Sequence, residues 1–454
     1  MLLKNATLLL LSPSVVERDG LRVENGNIVA RGKNLRPKKN EETIDLTGKF
    51  IMPGMVNAHT HLYSALARGM SAPKSAGGGP KNFVEILKKV WWKLDESLDE
   101  ESIYYSALVG SIEAVKYGTT TLIDHHASPN RIPGSLNIIK KAMSVVGLRG
   151  ILCYETTDRG GRKRCDAGLE ENERFVTENT NNPRFRGSIG AHASFTLNDD
   201  TMQALGELAG LYNCGVHIHA AEDKADVEDV KKRSHPERSP DAFQSGRSRR
   251  MRWGNIADRL ESFGILTHKS ILAHGVHLTE NEIQRIGESG AWLVHNPRSN
   301  MNNAVGYAPL RWFGKNSALG TDGFPADMFE ESKLGFFRNQ ESEHKVEFTR
   351  LPEMLQAGQK LVSSFFGPPN ADFGTLKEGS PADLIVLDYA PPTPLNASNL
   401  LGHFLFGMNS GMVAHVMVNG QWAMFNGQLV GIDEEKVMGE AARVARRLWK
   451  RMNR

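Results

Sequence analysis

Hydrophobic and polar positions change their rhythm twice along the chain. Over the first fifty residues they alternate in short runs, LLKNATLLLL, GLRVENGNIVARGKNL and EETIDLTGKF. Alternation with period two predicts strands, and Gly26 in ENGN marks a hairpin turn between two of them. From about Phe373 the same character returns in FGTLKEGSPADLIVLDY and MVAHVMVNGQWAMFNGQLV, with turns at Asn419-Gly420 and Asn426-Gly427. Between the two ends, short apolar runs alternate with longer helical stretches. The apolar runs lie near residues 51–58, 119–125, 148–154, 187–192, 214–219, 269–274, 291–295 and 317–321. The stretches FVEILKKVWWKLDE, ESIYYSALVGSIEAVKYG, DDTMQALGELAGLYN and TENEIQRIGESG carry helical periodicity. Asn198 and the pair Thr279 and Glu282 have the character of N-terminal caps. Strand–helix units in this number predict an α/β fold, a (β/α)8 TIM-type barrel over residues 54–365. Residues 1–53 and 366–454 predict one small β domain assembled from both chain ends. No repeat of solenoid length recurs.

Composition narrows the function classes. The chain has 454 residues, 40% hydrophobic and 24% charged, the balance of an ordinary globular protein. A net charge of +3 is too small for a nucleic-acid footprint. No stretch approaches the length needed to span a membrane, and the apolar run Leu8–Leu11 is too short for a signal-peptide core. Cys153, Cys165 and Cys214 form no close pair in sequence, which fits a reducing compartment and predicts a cytoplasmic location.

The chemistry sits at the ends of the predicted strands, where a barrel of this type places its active site. His59-Thr60-His61 ends the first strand, and the two-residue spacing points both imidazoles to one face. VHIHAAE ends the fifth with His219 and, three residues on, Glu222. The sixth ends in His274, the seventh in His295, and the eighth, in ALGTDG, at Asp322. Two histidines from the first strand, one from the fifth and the carboxylate of Asp322 would ring a single divalent metal ion and leave a position for water. Such a metal lowers the pKa of bound water. Glu222 is placed to shuttle a proton, and His274 to orient the nucleophile or polarise the bond under attack.

Other polar residues are open to blander readings. His217 faces as His219 does but deeper, as a packed or supporting group. For His125 and its neighbours Asp124 and His126, substrate contact and hydrogen-bonded burial fit equally. His277 reads as structural. Trp91 and Trp92 read as helix-packing residues, with capping of a planar substrate as the alternative. The fourth strand, GSIGAHASF, offers His192 where two-metal barrels usually carry a bridging lysine. A single metal is therefore expected, with His192 free to touch substrate. The basic segment 231–253 reads as a solvated loop, or as a lid presenting cations to an anionic substrate. Residues 72–80 read as a flexible connector, or as a substrate cover.

The ordered motifs PGMVNAHTH, HIHAAE, ILAHGVH, HNPRSN, GTDG and GTLKEGSPADLIVLD resemble the amidohydrolase superfamily. Within it they are most similar to the mononuclear aminohydrolases, which include cytosine, guanine and S-adenosylhomocysteine deaminases and triazine hydrolases. WWKLDE, YGTTTLIDHHASP and HNPRSNMNNAVGYAP look most like its SsnA branch. The resemblance implies His59, His61, His219 and Asp322 as metal ligands, Glu222 and His274 as the proton-transfer pair, and His192, His295, Ser299 and Asn300 as pocket residues. It also implies a β-sandwich made from both chain ends, zinc (with iron as the alternative) and a homodimer. The expected activity is hydrolytic deamination of an amino-substituted N-heterocycle of purine, pterin, pyrimidine or triazine type, with Asp322 also carrying a proton. Hydrolysis of a cyclic amide or another bond by the same metal site is the alternative, and a non-catalytic ligand-binding barrel is a third reading.

Overall fold

A computed structural model describes residues 1–70, 79–234, 253–343, 345–367 and 372–453. Most of the predicted connector 72–80 and of the basic segment 231–253 lies outside these residues. Five strands come first: β1 (Leu2–Leu11), β2 (Ser14–Glu24), β3 (Asn27–Gly32), β4 (Thr43–Asp45) and β5 (Phe50–Pro53). The middle of the chain carries β6 (Met55–Thr60), β7 (Thr119–His126), β8 (Arg149–Tyr154), β9 (Phe185–Gly187), β10 (Ile189–Ala193), β11 (Val216–Ala220), β12 (Ile271–His274), β13 (Trp292–His295) and β14 (Ser317–Leu319). After it come β15 (Leu384–Leu387), β16 (Val413–Val418), β17 (Gln421–Phe425) and β18 (Gln428–Leu429).

The middle strands pair in parallel as β6-β7-β8-β9 and β10-β11-β12-β13-β14. Parallel bridges from Thr60 to Asp322 and from Thr156 to Ala191 link the two sheets. With helices connecting consecutive strands, this is a mixed α/β fold of TIM-barrel type. The strand interiors are apolar near their starts. Val56, Ala58, Ile123, Ile151, Ile271, Val294 and Ala318 form one buried cluster with Leu361, Val362 and Phe365. The helix Arg350–Phe366 that supplies those last residues thus closes the end of the fold away from the histidines.

Strands from both chain ends lie in one sheet of order β18-β17-β16-β15-β5-β1-β2-β3, with β4 added on β1. Its own apolar cluster takes Leu3, Leu8, Leu21, Ile28, Ile51, Leu384 and Val386. Three details differ from the predicted pattern. The single strand expected over 51–58 is two, β5 in the end sheet and β6 in the middle, divided at Gly54. A Cβ there would lie 2.2 Å from the Thr120 side chain, so only glycine lets the chain pass that close. The fourth predicted strand is likewise divided, β9 joining one half-sheet and β10 the other. Finally, the last segment of the predicted β domain contains the helix Glu434–Met452. Ala441, Val444, Leu448 and Met452 are its buried residues, at spacings of three and four that read as one helix face. It packs on the helix Glu100–Lys116, and Trp449 Nε1–H donates to the Leu66 carbonyl at 2.8 Å. Among the described residues, no helix is long and apolar enough to cross a membrane.

Candidate active site

The polar residues at the ends of β6, β11, β12 and β14 converge. Their hydrogen bonds determine which ring nitrogens are bare. His61 Nδ1–H donates to the carbonyl of His125 at 2.6 Å, and His219 Nδ1–H donates to the carbonyl of His192 at 2.8 Å. A carbonyl can only accept, so both rings carry a proton on Nδ1 and turn Nε2 toward each other. These two Nε2 atoms lie 3.2 Å apart. Two lone pairs at that distance repel unless a proton or a cation lies between them. His59 is set the same way by a relay. The Cys153 thiol donates to the Asp124 carbonyl (3.6 Å), and its sulfur accepts from His217 Nδ1 (3.7 Å). The Nε2 of His217 then accepts from His59 Nδ1 at 2.8 Å, leaving His59 Nε2 buried and without a partner.

Asp322 completes the group. Its Oδ1 lies 2.9 Å from His61 Nε2 and 3.4 Å from His59 Nε2, and its Oδ2 accepts from Ser299 Oγ. One donor atom each from His59, His219, His274 and Asp322 lie within 4.8 Å of one another. Burial pushes His59 down to about 3 and His219 well below the usual imidazole range, which keeps both neutral. Burial also opposes charge on His61, but Asp322 overrides it and raises that ring to about 9. A divalent cation would take the place of that proton.

Above this group, Glu222 is held near Asn303, whose Nδ2 donates to Oε1 at 3.4 Å, and its Oε2 lies 3.6 Å from His274 Nε2. Burial, with the nearby Asp322 charge, raises Glu222 well above the usual carboxyl range. His274 Nδ1 bonds Asn300 Oδ1 at 2.9 Å, which leaves Nε2 as an acceptor. Ala221, His274 and Asp322 have φ of 50°, 77° and 53°, the left-handed region that side chains avoid. Three such residues in one cluster mark a place where geometry is imposed by the surroundings.

The cluster forms the floor of a cleft with about 700 Å³ of free space, measured to its open mouth. Of the expected residues, His61, Trp92, His192, His219, Glu222 and Asp322 line it. His192 Nδ1 is tied to Thr196 Oγ1 at 2.7 Å, and its Nε2 is 3.9 Å from Glu155 Oε1. Three expected substrate contacts lie behind the wall. His125 is fully buried, its Nε2–H shared between the carbonyls of Ala191 (3.1 Å) and His217 (3.2 Å). His295 is fully buried with its ring edge-on to Tyr307, and Asn300 serves His274. Asp124 accepts from the Leu62 amide at 2.7 Å, and His126 bonds Ser128 at 2.9 Å, so both are buried structural groups. The sequence reading missed Asp95, Glu155 and Asp226 on the cleft wall. Glu155 follows β8 directly, and the strand-end rule that found the histidines would have found it. Asp95 and Asp226 sit in helical stretches, where an acid reads as surface.

Comparison with known proteins agrees with this picture. The sequence profile of the Amidohydrolase family matches residues 50–423. The chain belongs to the amidohydrolase family, hydrolases acting on carbon–nitrogen bonds. A 5-methylthioadenosine/S-adenosylhomocysteine deaminase of Pyrococcus furiosus is 28% identical to it over 98% of this chain and 100% of the relative. A 5'-deoxyadenosine deaminase of Methanocaldococcus jannaschii is 28% identical over 94% and 95%. The crystal structure of an adenosine deaminase from Xanthomonas campestris with bound zinc superposes with a TM-score of 0.80, at 20% identity over 99% and 98% of the two chains, and so shares the fold.

Proposed function

We propose that this protein is a metal-dependent aminohydrolase that replaces the exocyclic amino group of an N-heterocycle by oxygen and releases ammonia. The observation that carries the reading is the convergence of the Nε2 atoms of His61 and His219, 3.2 Å apart, beside the Asp322 carboxylate. This donor set of imidazoles and one carboxylate fits a divalent metal of zinc type, with iron as the alternative. His59, His61, His219 and Asp322 would hold it. The relatives named as deaminases and the zinc reported for the Xanthomonas protein support the same assignment.

Bound there, the metal supplies an activated water at neutral pH. The remaining steps belong to side chains. Glu222, kept protonated by burial, gives its proton to the ring nitrogen next to the amino-bearing carbon, which makes that carbon electrophilic. His274 offers Nε2 as an acceptor and orients the attacking water. Asp322 takes one proton from the water and passes it to the departing amine, so that ammonia leaves, and the remaining hydroxyl proton returns to Glu222 as the ring carbonyl forms. Ser299, bonded to Asp322 Oδ2, holds that carboxylate in place.

The finer architecture belongs to the same proposal. The two parallel half-sheets close into an eight-stranded barrel over residues 54–365, and residues 1–53 with 366–454 fold over as a β-sandwich. The bridges at both sheet edges and the separate apolar cluster of the end sheet support it. A cytoplasmic homodimer completes the reading. The three cysteines are buried and unpaired, as a reducing compartment favours, and sedimentation velocity reads the oligomeric state.

Zinc-loaded protein screened for ammonia release against aminopurines, pterins, aminopyrimidines and aminotriazines tests the activity. Glu222→Gln, which cannot give up a proton, is expected to lower kcat by about 10²–10⁴-fold. Unchanged turnover in that variant would refute the assigned role.

A further inference from the structure

The cleft wall carries two polar atoms with no hydrogen-bond partner among the described residues. Trp92 and Asp95 lie on the helix Trp92–Ser97, and their spacing of three places them on one face. Both line the cleft. Asp95 is 2% exposed, and neither its Oδ1 nor Trp92 Nε1 has a hydrogen-bond partner. The surroundings hold both side chains in place. The Arg159 guanidinium lies 4.4 Å over the Trp92 ring, 3.6 Å from Asp95 Oδ2 and 3.1 Å from Glu155 Oε1. Arg159 therefore occupies Oδ2 and leaves Oδ1 free. The His192 ring stands edge-on to Trp92 at 6.3 Å. An unsatisfied buried donor or acceptor is costly, and this wall keeps one of each.

The charge of the cleft agrees. Glu155, Asp223 and Asp322 line it beside the acids Asp95, Glu222 and Asp226, whose ionisation burial opposes, and among the described residues no lysine or arginine does. Such a lining disfavours carboxylates and phosphates and favours neutral or cationic molecules bearing N–H donors.

We infer that Asp95 and Trp92 form a specificity subsite for a second amidine edge of the substrate, away from the carbon that loses its amine. An amino N–H of that edge donates to Asp95 Oδ1, and the adjacent ring nitrogen accepts from Trp92 Nε1–H. The substrate is then an N-heterocycle with at least two amino-bearing ring carbons and no anionic group. This rests on the deamination reading and names the class of heterocycle that site takes.

Two matched pairs of probes test it: 2,4-diaminopyrimidine against 4-aminopyrimidine, and 2,6-diaminopurine against adenine. Ammonia release by the zinc-loaded enzyme gives kcat/KM, and calorimetric titration of the zinc-loaded Glu222→Gln variant gives Kd without turnover. The diamino member of each pair is expected to be preferred by about 30-fold or more in both readouts. Asp95→Asn, introduced into either background, should cut that ratio to about threefold or less, because its amide offers a donor or a weaker acceptor where the carboxylate stood. Trp92→Phe keeps a ring over Arg159 and should lower the ratio part way, and it serves also should Asp95→Asn fail to fold. A native protein that binds both members of a pair equally, or neither, overturns the inference. So does a preference that Asp95→Asn leaves intact in folded protein. Should the deamination reading alone be wrong, no probe releases ammonia while the calorimetric preference and its loss in Asp95→Asn remain.

Discussion

Arg149→Met tests how the site-bearing strands are anchored to the end sheet. Arg149 begins β8, the strand that leads into Glu155. Its Nε and Nη2 donate to the two carboxylate oxygens of Asp383 at 2.7 and 3.0 Å, and Nη1 donates to the Pro183 carbonyl at 2.5 Å. The guanidinium lies over the rings of Phe366 and Phe373 at 4.9 and 4.7 Å. Both partners are buried, Arg149 at 2% and Asp383 at 6% exposure. Asp383 also ties the end sheet together: its Oδ1 accepts the Asn419 amide at 2.7 Å, and its carbonyl accepts the Gly54 amide at 3.0 Å. Methionine keeps most of the apolar stem between the aromatic rings, so little cavity opens. What disappears is the charge that compensates Asp383, leaving it with one backbone donor. Removing one partner of a buried pair costs about 3–5 kcal/mol. Asp383→Asn keeps an acceptor for Asn419 and should cost less. The double variant should cost less than the sum, with a coupling of about 2 kcal/mol. Urea unfolding of the metal-loaded protein, followed by tryptophan fluorescence and circular dichroism, measures these differences. The folded variant should keep native activity, because Arg149 does not reach the cleft. A loss below about 1 kcal/mol, the range of an exposed pair, or strict additivity in the cycle would refute the reasoning.

Asp226 should act on Glu222 from a distance. Its carboxyl oxygens accept the amides of Ala221 (2.9 Å) and Phe195 (3.1 Å), so it holds the left-handed turn that presents Glu222. Asp226→Ala is expected to lower kcat by about tenfold to a hundredfold, as small misplacements of a reacting group do, with KM much less affected; a fall confined to KM would count against it. The thiols make a separate prediction. Burial raises Cys165 to about 11, Cys214 to about 12 and Cys153 well above the usual thiol range. Native protein at pH 8 should therefore resist a thiol-specific reagent until it unfolds, and rapid labelling would be the contrary result. Since these folded-state values lie above the unfolded value of about 8.5, the stability they contribute is complete below that pH. It is lost as pH rises through 11 and 12, which alkaline unfolding curves can follow.

The residues proposed to bind metal and move protons were legible because metal ligation accepts few residue types and the fold presents them at one place, the strand ends. His59, His61, His219, Glu222, His274 and Asp322 all gather where the pattern put them. The strands themselves were legible from their apolar starts. Gly54 was not, because it divides a run that is apolar on both sides, and the division reflects the Thr120 side chain from another strand. His125 and His295 show the opposite failure. A histidine at a strand end can face the mouth or pack behind its neighbour, and only the register against β8 and β12 decides which. Asp95 was unreadable for a related reason. It stands in an amphipathic helix as a surface acid would, and Arg159, which turns it into a buried wall residue, is far along the chain.

The same contrast orders the site physically. Part of the proposed metal and proton site is held by backbone: the carbonyls of His125 and His192 hold the imidazoles of His61 and His219, and the Asp322 amide is bonded to the His59 carbonyl at 3.0 Å, while the side chains of His217, Asn300, Ser299 and Asp226 hold the rest. Those bonds hold Asp322 in a left-handed conformation costing about 1–2 kcal/mol, and the Asp226 side chain does the same for Ala221. Backbone contacts of this kind survive most side-chain substitutions nearby. The wall that meets the rest of the substrate is held by side chains instead, Arg159 against Trp92, Asp95 and Glu155. A single substitution there alters which molecule fits without moving the ligand atoms. A family built this way keeps its reaction while its substrates diverge. That is why HTH at residues 59–61 points so directly to hydrolysis, and why the proposed subsite at residues 92, 95 and 155 is where the identity of the hydrolysed molecule is to be tested.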